Sequence, residues 1–503
     1  MRITFRHILP LLVAAVLPSG LAAQTDLTFK FETAAMAGAG EHAPFWHTSN
    51  RQGLPSVNNN NGYTHFAALG STALPYGFGM DYGVDLGLGA GLENNLFAHQ
   101  LYLDVNYRWL GVSMGMKERW NDKDPNLSTG ALTWSGNSKP VPEVRAGIPE
   151  FVRIPVLGRI FSVKGHLGYG RLTDENWRKE HGAGFYVDGV LFHSKSLFLR
   201  VGDEERFPLE VTIGLEMSNL FGGTFYNAGT VKEMPSDAAA YWTVLFPFHE
   251  VEQQGNEDGD NLGSWHLNFD YNLNDWHLGA YYEHYFEDHS SMLGIEYKNN
   301  TEGEKDYIFF GFRRNWFDGL FSFKVSAPQD IRFFRNAVFE ILNTRGLCGP
   351  ICHSAACNSD GMQVIEEVDG RDGMYNHGIY SSYTHHGYAI GNPVLISPAY
   401  NAGGSNRFRS NRVQAFHLGV DGCITDNIDY RVLATTARHW GCYGSPLKDI
   451  ESITSLMLEC SYRLGRDNDW KFSLSGAMDI DSGSMLGNNK GVMLTITKLW
   501  KVL

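Results

Sequence analysis

The stretch that decides the fold is Leu209–Ser218, LEVTIGLEMS, in which apolar and polar residues alternate strictly. Trp265–Leu273, WHLNFDYNL, repeats the rhythm with aromatic side chains at three of its apolar positions. Successive side chains of a β-strand point to opposite faces, so each segment has one apolar and one polar face. Because the apolar face is rich in aromatics and the polar face carries ionisable groups, the pattern predicts a barrel with lipid outside and water inside.

The same alternation returns along the rest of the chain, in segments of strand length. Bacterial single-chain barrels use even strand numbers, so about 19 candidates indicate roughly 18 strands. The predicted fold class is therefore all-β, a transmembrane antiparallel β-barrel of about 18 strands with lumen-plugging loops. The further candidates lie near 64–72, 82–90, 100–107, 112–116, 161–170, 184–192, 195–202, 276–285, 291–298, 306–313, 336–343, 378–386, 412–422, 428–438, 452–463, 469–479 and 490–501.

The N-terminus has the pattern of an export signal. Arg2 and Arg6 precede the short apolar run Ile8–Val16, and small residues lead to Ala23 before Gln24. This pattern predicts a secretory signal peptide over 1–23, because the apolar run is too short to span a membrane. No later stretch reaches the roughly 20 apolar residues that a membrane helix needs. We therefore expect residues 24–503 to form a single barrel domain in a bacterial outer membrane, with its lipid as a partner.

The joins between candidate strands are of two kinds. Asn274-Asp275, Asp426-Asn427 and the segment 465–468 are short polar joins that predict tight periplasmic turns. Three much longer polar stretches, near 119–160, 225–263 and 344–411, predict surface loops or segments folded into the lumen.

Charge and cysteine content exclude some partners and leave others open. The formal net charge is −14 and no basic tract occurs, so nucleic acid is not an expected partner. Export permits disulfides. A loop disulfide, free thiols and a metal site that includes His353 remain alternatives for the cysteines, because their spacing matches no standard zinc motif. The six cysteines are Cys348, Cys352, Cys357, Cys423, Cys442 and Cys460.

No catalytic signature stands out in the sequence. It contains no G-x-S-x-G elbow, H-E-x-x-H pair or P-loop. The glycine-rich stretch Gly87–Gly91 lies inside an alternating strand and opens no helix, so it is not a dinucleotide fingerprint. We therefore expect no enzymatic activity, no cofactor and no metal site. His385-His386 is the one histidine pair that is a candidate for binding a ligand.

Three segments outside the predicted strands combine flat aromatic rings with amide, imidazole and cationic donors. They are Glu41–Arg51, Leu127–Arg145, and Tyr375–His377 together with His385–Pro393. This combination suits sugars, whose C–H faces stack on rings while their hydroxyls need directional partners. Plug formation alone, glycan contact and another ligand all remain open interpretations. The candidate carbohydrate-binding residues are Trp46, Trp134, Asn137, Lys139, Arg145, Tyr375, His377, Tyr388 and Asn392.

These segments resemble the Wzi-type capsule assembly proteins of the outer membrane, in the form found in Bacteroides-like bacteria. That family carries a His-x-Pro-Phe-Trp segment, a Leu-Ser-Thr-Gly stretch before Asn-x-(Arg/Lys)-Pro-x-Pro, an aromatic-Asn-His patch and an Ile-Gly-Asn-Pro motif. The matching residues here, in the same order, are His42–Trp46, Leu127–Pro142, Tyr375–His377 and Ile390–Pro393. The chain departs from the family at Arg345-Gly346 and in the cysteine-rich insert at 348–357.

The resemblance implies an outer-membrane barrel of about 18 strands whose lumen is blocked by loops. It also implies a non-catalytic, lectin-like role in retaining or assembling capsular or other surface polysaccharide, and it leaves contact with other capsule-export components open. In that role aromatics would stack on sugar rings, and cationic groups would pair with acidic sugars. The alternative is a passive porin or substrate channel, and a surface hydrolase built on a barrel is a third hypothesis.

Overall fold

The wall of the molecule is one closed sheet of eighteen antiparallel strands. The computed structural model describes residues 24–157, 160–203, 207–246, 259–287, 292, 295–299, 305–309, 317–346, 352–357, 363–368, 373–465 and 469–502. Each strand pairs with the next along the chain, and the first also pairs with the last, through partners such as Phe29 and Trp500. Closure leaves no free sheet edge, so the predicted barrel and its strand number are confirmed.

We number the wall strands β1 to β18 in chain order. Their bounds are Gln24–Ala39, Asn61–Leu74, Phe78–Ala90, Leu96–Tyr107, Leu110–Met116, Glu143–Arg153, Phe161–Arg171, Leu191–Asp203, Phe207–Phe221, Asp260–Leu273, Trp276–Phe286, Gly319–Ser326, Asn336–Asn343, Val413–Thr425, Ile428–Cys442, Ser445–Leu464, Trp470–Asp481 and Asn489–Lys501.

The alternation in the sequence corresponds to the two faces of the wall. Along β16, Leu456 and Leu458 are 39% and 54% exposed on the outer face, whereas Ser455 and Met457 are 3% and 2% exposed on the inner face. In β9, Ile213 is likewise exposed on the outer face. The outer surface is thus an apolar band and the inner surface is mainly polar, as the quoted stretches predict.

The longest connections between wall strands all lie at one end of the barrel. β1 begins and β18 ends at the other end, where the predicted short joins 274–275 and 426–427 also lie, and we call it the short-turn end. One of these joins is Asn274-Asp275, where both residues have positive φ, as a two-residue hairpin turn requires. The connections after odd-numbered strands lie at the opposite, long-loop end and include 40–60, 117–142 and 344–412.

Several sequence-based boundaries need correction. β1, β6 and β12 were not among the predicted strands. The predicted loop 119–160 contains all of β6, and the predicted loop 225–263 ends inside β10. Three predicted strands are not wall strands: 291–298 and 306–313 overlap a separate hairpin, and 378–386 folds inside the barrel. A fourth, 184–192, belongs to the wall only at its end, because it begins as the separate short strand Phe185–Asp188. The predicted signal peptide lies outside the described residues.

Smaller elements lie in the connections between the wall strands. Among the described residues, no helix is both long and apolar enough to cross a membrane. Cys423, Cys442 and Cys460 are free thiols, and the alternatives left open for Cys348, Cys352 and Cys357 fall on residues whose side chains are not described. The helices are Phe45–Thr48, Trp177–His181 and Ala238–Leu245, with single turns at Pro75–Gly77, Pro155–Leu157 and Pro398–Tyr400. Short strands are Phe185–Asp188, Thr224–Asn227, Thr230–Glu233, Ile295–Asn299, Lys305–Phe309, Cys352–Cys357, Gln363–Val368, Asn376–His377, Ser381–Ser382, Thr384–His385 and Tyr388–Ala389.

Loops from the long-loop end fold back into the barrel and fill that half of the lumen. We call residues 40–60, 117–142 and 373–412 the plug. Its centre is fully buried, since Leu132, Tyr383 and Leu395 each have 0% exposed surface. The main apolar cluster of the molecule joins these side chains to the inner faces of the surrounding strands, so the largest core of this protein lies inside the barrel.

Candidate functional site

Buried carboxylates of the wall hold the plug in place. Glu340 on β13 accepts hydrogen bonds from the Ser128 hydroxyl at 2.5 Å, from the Thr129 backbone N–H at 2.7 Å and from the Thr129 hydroxyl at 2.6 Å. On β11, Glu283 accepts the backbone N–H of Leu132 at 2.8 Å and pairs with Lys123 at 3.0 Å. Charged acceptors make strong hydrogen bonds, so these two side chains fix the middle plug segment to the wall.

The first plug segment is also fixed to the wall. The short helix Phe45–Thr48 directs the Phe45 backbone N–H to the Asp479 carboxylate of β17 at 3.0 Å. The Trp46 ring packs against His417 of β14 in a tilted arrangement, with 5.1 Å between ring centroids, and Trp46 is 3% exposed. The plug is therefore attached to several wall strands around its circumference.

The middle and last plug segments also bind one another through predicted site residues. Asn392 donates to the Thr129 hydroxyl at 3.0 Å and to the Gly130 carbonyl at 2.6 Å, and is fully buried. Asn137 donates to the Ala389 carbonyl at 3.0 Å, and the Tyr375 hydroxyl donates to the Leu132 carbonyl. These three polar side chains are occupied in assembling the plug.

Below the plug, towards the short-turn end, the lumen holds a cavity of about 690 Å³, which we call cavity 1. Its ceiling is the plug segment that carries Trp120 and Trp134, and Trp109 lies at its floor in the β4–β5 turn. The volume falls within the range of small-ligand pockets. Its charged lining residues are Arg108, Lys117, Arg119, Lys123, Arg145 and Lys164, with Asp81, Asp104, Asp122, Glu150 and Glu216.

Two guanidinium groups dominate one wall of cavity 1. Arg145 on β6 pairs with Glu143 at 2.8 Å, and Arg119 reaches the same carboxylate at 3.4 Å. Burial and the nearby charge of Arg145 lower the pKa of Arg119 to about 10, so its guanidinium stays protonated at neutral pH. Arg145 Nε is buried and has no hydrogen-bond partner within the described part of the chain. Two cations sharing one carboxylate leave this wall with donors available to an oxygen-rich ligand.

A second cavity, cavity 2, has about 490 Å³ and lies beside the first. Trp120 borders both cavities. Arg51 from the first plug segment and Arg431 from β15 both meet the Glu459 carboxylate there, at 3.6 and 3.1 Å. Trp46 also lines this space, and its indole N–H has no hydrogen-bond partner among the described residues.

The remaining predicted site residues are dispersed. Lys139 lines a small pocket of about 20 Å³ above cavity 1, where burial lowers its pKa. His377 is half-buried, and its Nδ1 accepts the backbone N–H groups of Ile379 and Tyr380 at 3.1 and 3.2 Å. Tyr388 donates its hydroxyl to the Pro55 carbonyl at 3.1 Å.

Only some of the nine predicted site residues border an open space of binding size. Trp134 and Arg145 line cavity 1, and Trp46 lines cavity 2. The sequence analysis missed Trp120 and Arg119, although both stand in the predicted loop 119–160 with the same aromatic–cation composition. It also placed the expected glycan contacts in loops, whereas Arg145 belongs to strand β6.

No protein-family model matches the chain, and no curated protein sequence matches it. Among solved structures, similar chains include the Escherichia coli outer-membrane protein Wzi, described as involved in group 1 capsule assembly and as a carbohydrate-binding β-barrel. That match has a TM-score of 0.55 and 12% identity, and covers 93% of this chain and 83% of Wzi. Pseudomonas aeruginosa OccK5 (OpdH) matches with a TM-score of 0.48 and 10% identity over 95% and 99% of the two chains. At such identities the likeness shows the fold alone, which is that of outer-membrane β-barrels.

Proposed function

We propose that this chain resides in a bacterial outer membrane, binds capsular or other surface polysaccharide without catalysis, and helps to retain or assemble it. The observation that carries the proposal is cavity 1, where the tryptophan faces of Trp120 and Trp134 stand beside the guanidinium groups of Arg119 and Arg145. Ring faces stack on sugars, and a guanidinium binds carboxylates of acidic sugars in a bidentate manner.

The location of cavity 1 defines how a glycan reaches it. In outer-membrane barrels the short turns face the periplasm, so both cavities open on that side. The plug separates them from the outer surface, and its buried, hydrogen-bonded centre leaves little room for a chain to pass. The proposed site thus holds a glycan segment from the periplasmic side, rather than at the outer mouth of the barrel.

Binding to the purified mature protein tests the site directly. We expect acidic oligosaccharides prepared from the native surface glycan to bind to the wild-type protein, and W134A and R145Q to weaken binding about tenfold each, or about 1.4 kcal/mol. W242A is the matched control, because Trp242 is 62% exposed outside the cavities. Equal affinity in all four proteins would exclude cavity 1 as the site.

Two further measurements separate the proposal from the porin alternative. The plugged lumen predicts small conductance in planar bilayers, whereas a porin gives a large and steady open current. In cells, deletion of the gene should release polysaccharide into the medium. A large steady current, together with a fully cell-attached capsule in the deletion strain, would favour the porin and refute retention.

A further inference from the structure

A second cluster of ionisable side chains lies on the inner wall of β1 to β4, and its three residues do not line cavity 1. Asp85 on β3, His99 on β4 and Glu118 at the start of the middle plug segment each place one ligand-type atom within 4.8 Å of the others. Asp85 and His99 are nearly inaccessible, at 1% and 2% exposed. Glu118 borders cavity 2, so the cluster has a route to solvent.

A β-bulge turns His99 into the lumen. In the pairing of β3 with β4, Asp85 lies opposite Gln100 and Leu86 lies opposite Ala98, which leaves His99 as the extra residue. Strict alternation would place His99 on the outer face next to inward-facing Gln100, but the bulge lets both consecutive side chains face inward. Bulges often re-aim a side chain at functional sites.

Both bulge residues hold Glu118. His99 Nε2 lies 2.7 Å from Glu118 Oε1, and the Gln100 side-chain oxygen accepts the Glu118 backbone N–H at 3.0 Å. On the opposite side of the cluster, His65 Nδ1 contacts both Asp85 oxygens at 2.8 and 3.0 Å. The potential ligands are therefore oriented by neighbours, as the ligands of metal sites usually are.

The charged groups around the cluster are compatible with an added cation. Glu32 lies 3.5 Å from His65 Nε2 and 3.1 Å from Lys30, and it accepts the Tyr63 hydroxyl at 3.1 Å. Three carboxylates thus face one lysine and two histidines in this region. Glu32 is paired with Lys30 and His65. The carboxylates of Asp85 and Glu118 and the imidazole of His99 form a compact donor set of the kind that zinc accepts.

We propose that Asp85, His99 and Glu118 bind a divalent transition-metal ion, with Zn²⁺ as the best match to one imidazole and two carboxylates. His65 acts as a positioning residue for Asp85. The ion takes the place of the direct contact between His99 Nε2 and Glu118 Oε1 and binds to the neutral His99 ring through Nε2. Any proton on that nitrogen passes to solvent. A metal here fastens the first residues of the middle plug segment to β3 and β4.

Metal binding to the untagged mature protein in detergent tests the proposal. After the protein is stripped by chelation, reloaded with Zn²⁺ and dialysed, we expect one Zn²⁺ per chain by elemental analysis, with a micromolar or tighter Kd by calorimetry of the stripped protein. H99Q and E118Q should each weaken binding at least tenfold. Ca²⁺ should bind more weakly than Zn²⁺, because it prefers oxygen ligands.

H277Q is the matched control. His277 faces the lumen from β11 and lies 3.3 Å from Asp270, so it is an imidazole–carboxylate pair outside the three-ligand cluster. Heat-modifiable migration on gels verifies that each variant folds as a barrel. X-ray absorption of the wild-type zinc complex should show one imidazole and oxygen ligands, which tests the site even if a variant does not fold. Absence of binding to the wild type, or equal losses in H277Q, H99Q and E118Q, would overturn the proposal.

Discussion

The long-loop half and the short-turn half of the lumen are enclosed by the same strands, yet their polar side chains have different partners. In the long-loop half, Glu283 and Glu340 are bonded to the plug. In the short-turn half, Glu150 borders an open cavity. Strand alternation sends polar groups inward in both halves, so the difference comes from whether a loop returns to bond them. The predictions below change one half and test whether the other responds.

The largest effect is expected from E340Q. Glu340 is 1% exposed and accepts hydrogen bonds from Ser128 and Thr129, so loss of its charge should destabilise the middle plug segment by about 3 kcal/mol. Hydrogen exchange of peptides covering 125–137 should then accelerate about a hundredfold. E150Q, which changes an exposed carboxylate of cavity 1, should leave this exchange rate unaltered. Unchanged protection in E340Q would contradict the role of the wall carboxylates.

N392A should have the next largest effect. The Asn392 amide joins the last plug segment to Thr129 and Gly130, and its oxygen accepts the Val394 backbone N–H at 3.0 Å. Its removal should destabilise the plug by about 2 kcal/mol, because it leaves buried groups without partners. Exchange in both segments should rise together. N227A, at an exposed hairpin position, serves as the control, and a rise confined to one segment would show that Asn392 does not join them.

W120A should affect the short-turn half alone. Trp120 is 44% exposed and borders both cavities, so its loss should weaken binding of the proposed glycan about tenfold, or about 1.4 kcal/mol. Calorimetric titration with the oligosaccharide measures this change. Hydrogen exchange of the plug centre should remain that of the wild type. An affinity unaffected by W120A would show that this ring does not contact the sugar.

The smallest effect is expected when the pH is lowered, through protonation of Asp174. Burial alone would raise the pKa of Asp174, but the charge of Arg178 and the His386 backbone N–H lower it overall from 3.8. Its ionised form therefore adds stability that is present above pH 3.8 and is lost as the pH falls through the lower, folded-state pKa. We expect the free energy of local opening, measured by hydrogen exchange of peptides covering 380–387, to fall by about 1 kcal/mol over this acidic pH range. D174N should abolish this pH dependence. A wild-type protection profile that does not change with pH, after correction for the intrinsic exchange rate, would contradict the role of Asp174.

The sequence predicted the wall well because each strand carries its own alternation. It predicted poorly where the alternation is interrupted. β6 contains Gly147 and Pro149, which break the apolar rhythm and caused its assignment to a loop. The hairpin formed by Ile295–Asn299 and Lys305–Phe309 alternates like a wall strand but forms a two-stranded sheet separate from the wall sheet.

The candidate site was predicted only in part. Trp134 and Arg145 were found because flat rings and cations in a polar stretch are visible as composition. The arrangement of Asp85, His99 and Glu118 was not visible, because their spacing matches no motif and one of them depends on a bulge. Asn392 and Tyr375 were recognised as polar and unusual, but their hydrogen bonds run to residues more than two hundred positions away.

The sequence by itself determined a barrel with an apolar outside and a polar inside, since side-chain alternation is local and needs no knowledge of distant residues. It also indicated that long polar segments interrupt the wall, although one of them contains β6 and another ends inside β10. Only the tertiary structure decided that these segments enter the lumen, fill its long-loop half and leave cavities in the other half. The physical reason is that buried carboxylates such as Glu283 and Glu340 need donors, and the chain supplies those donors from loops far away in sequence.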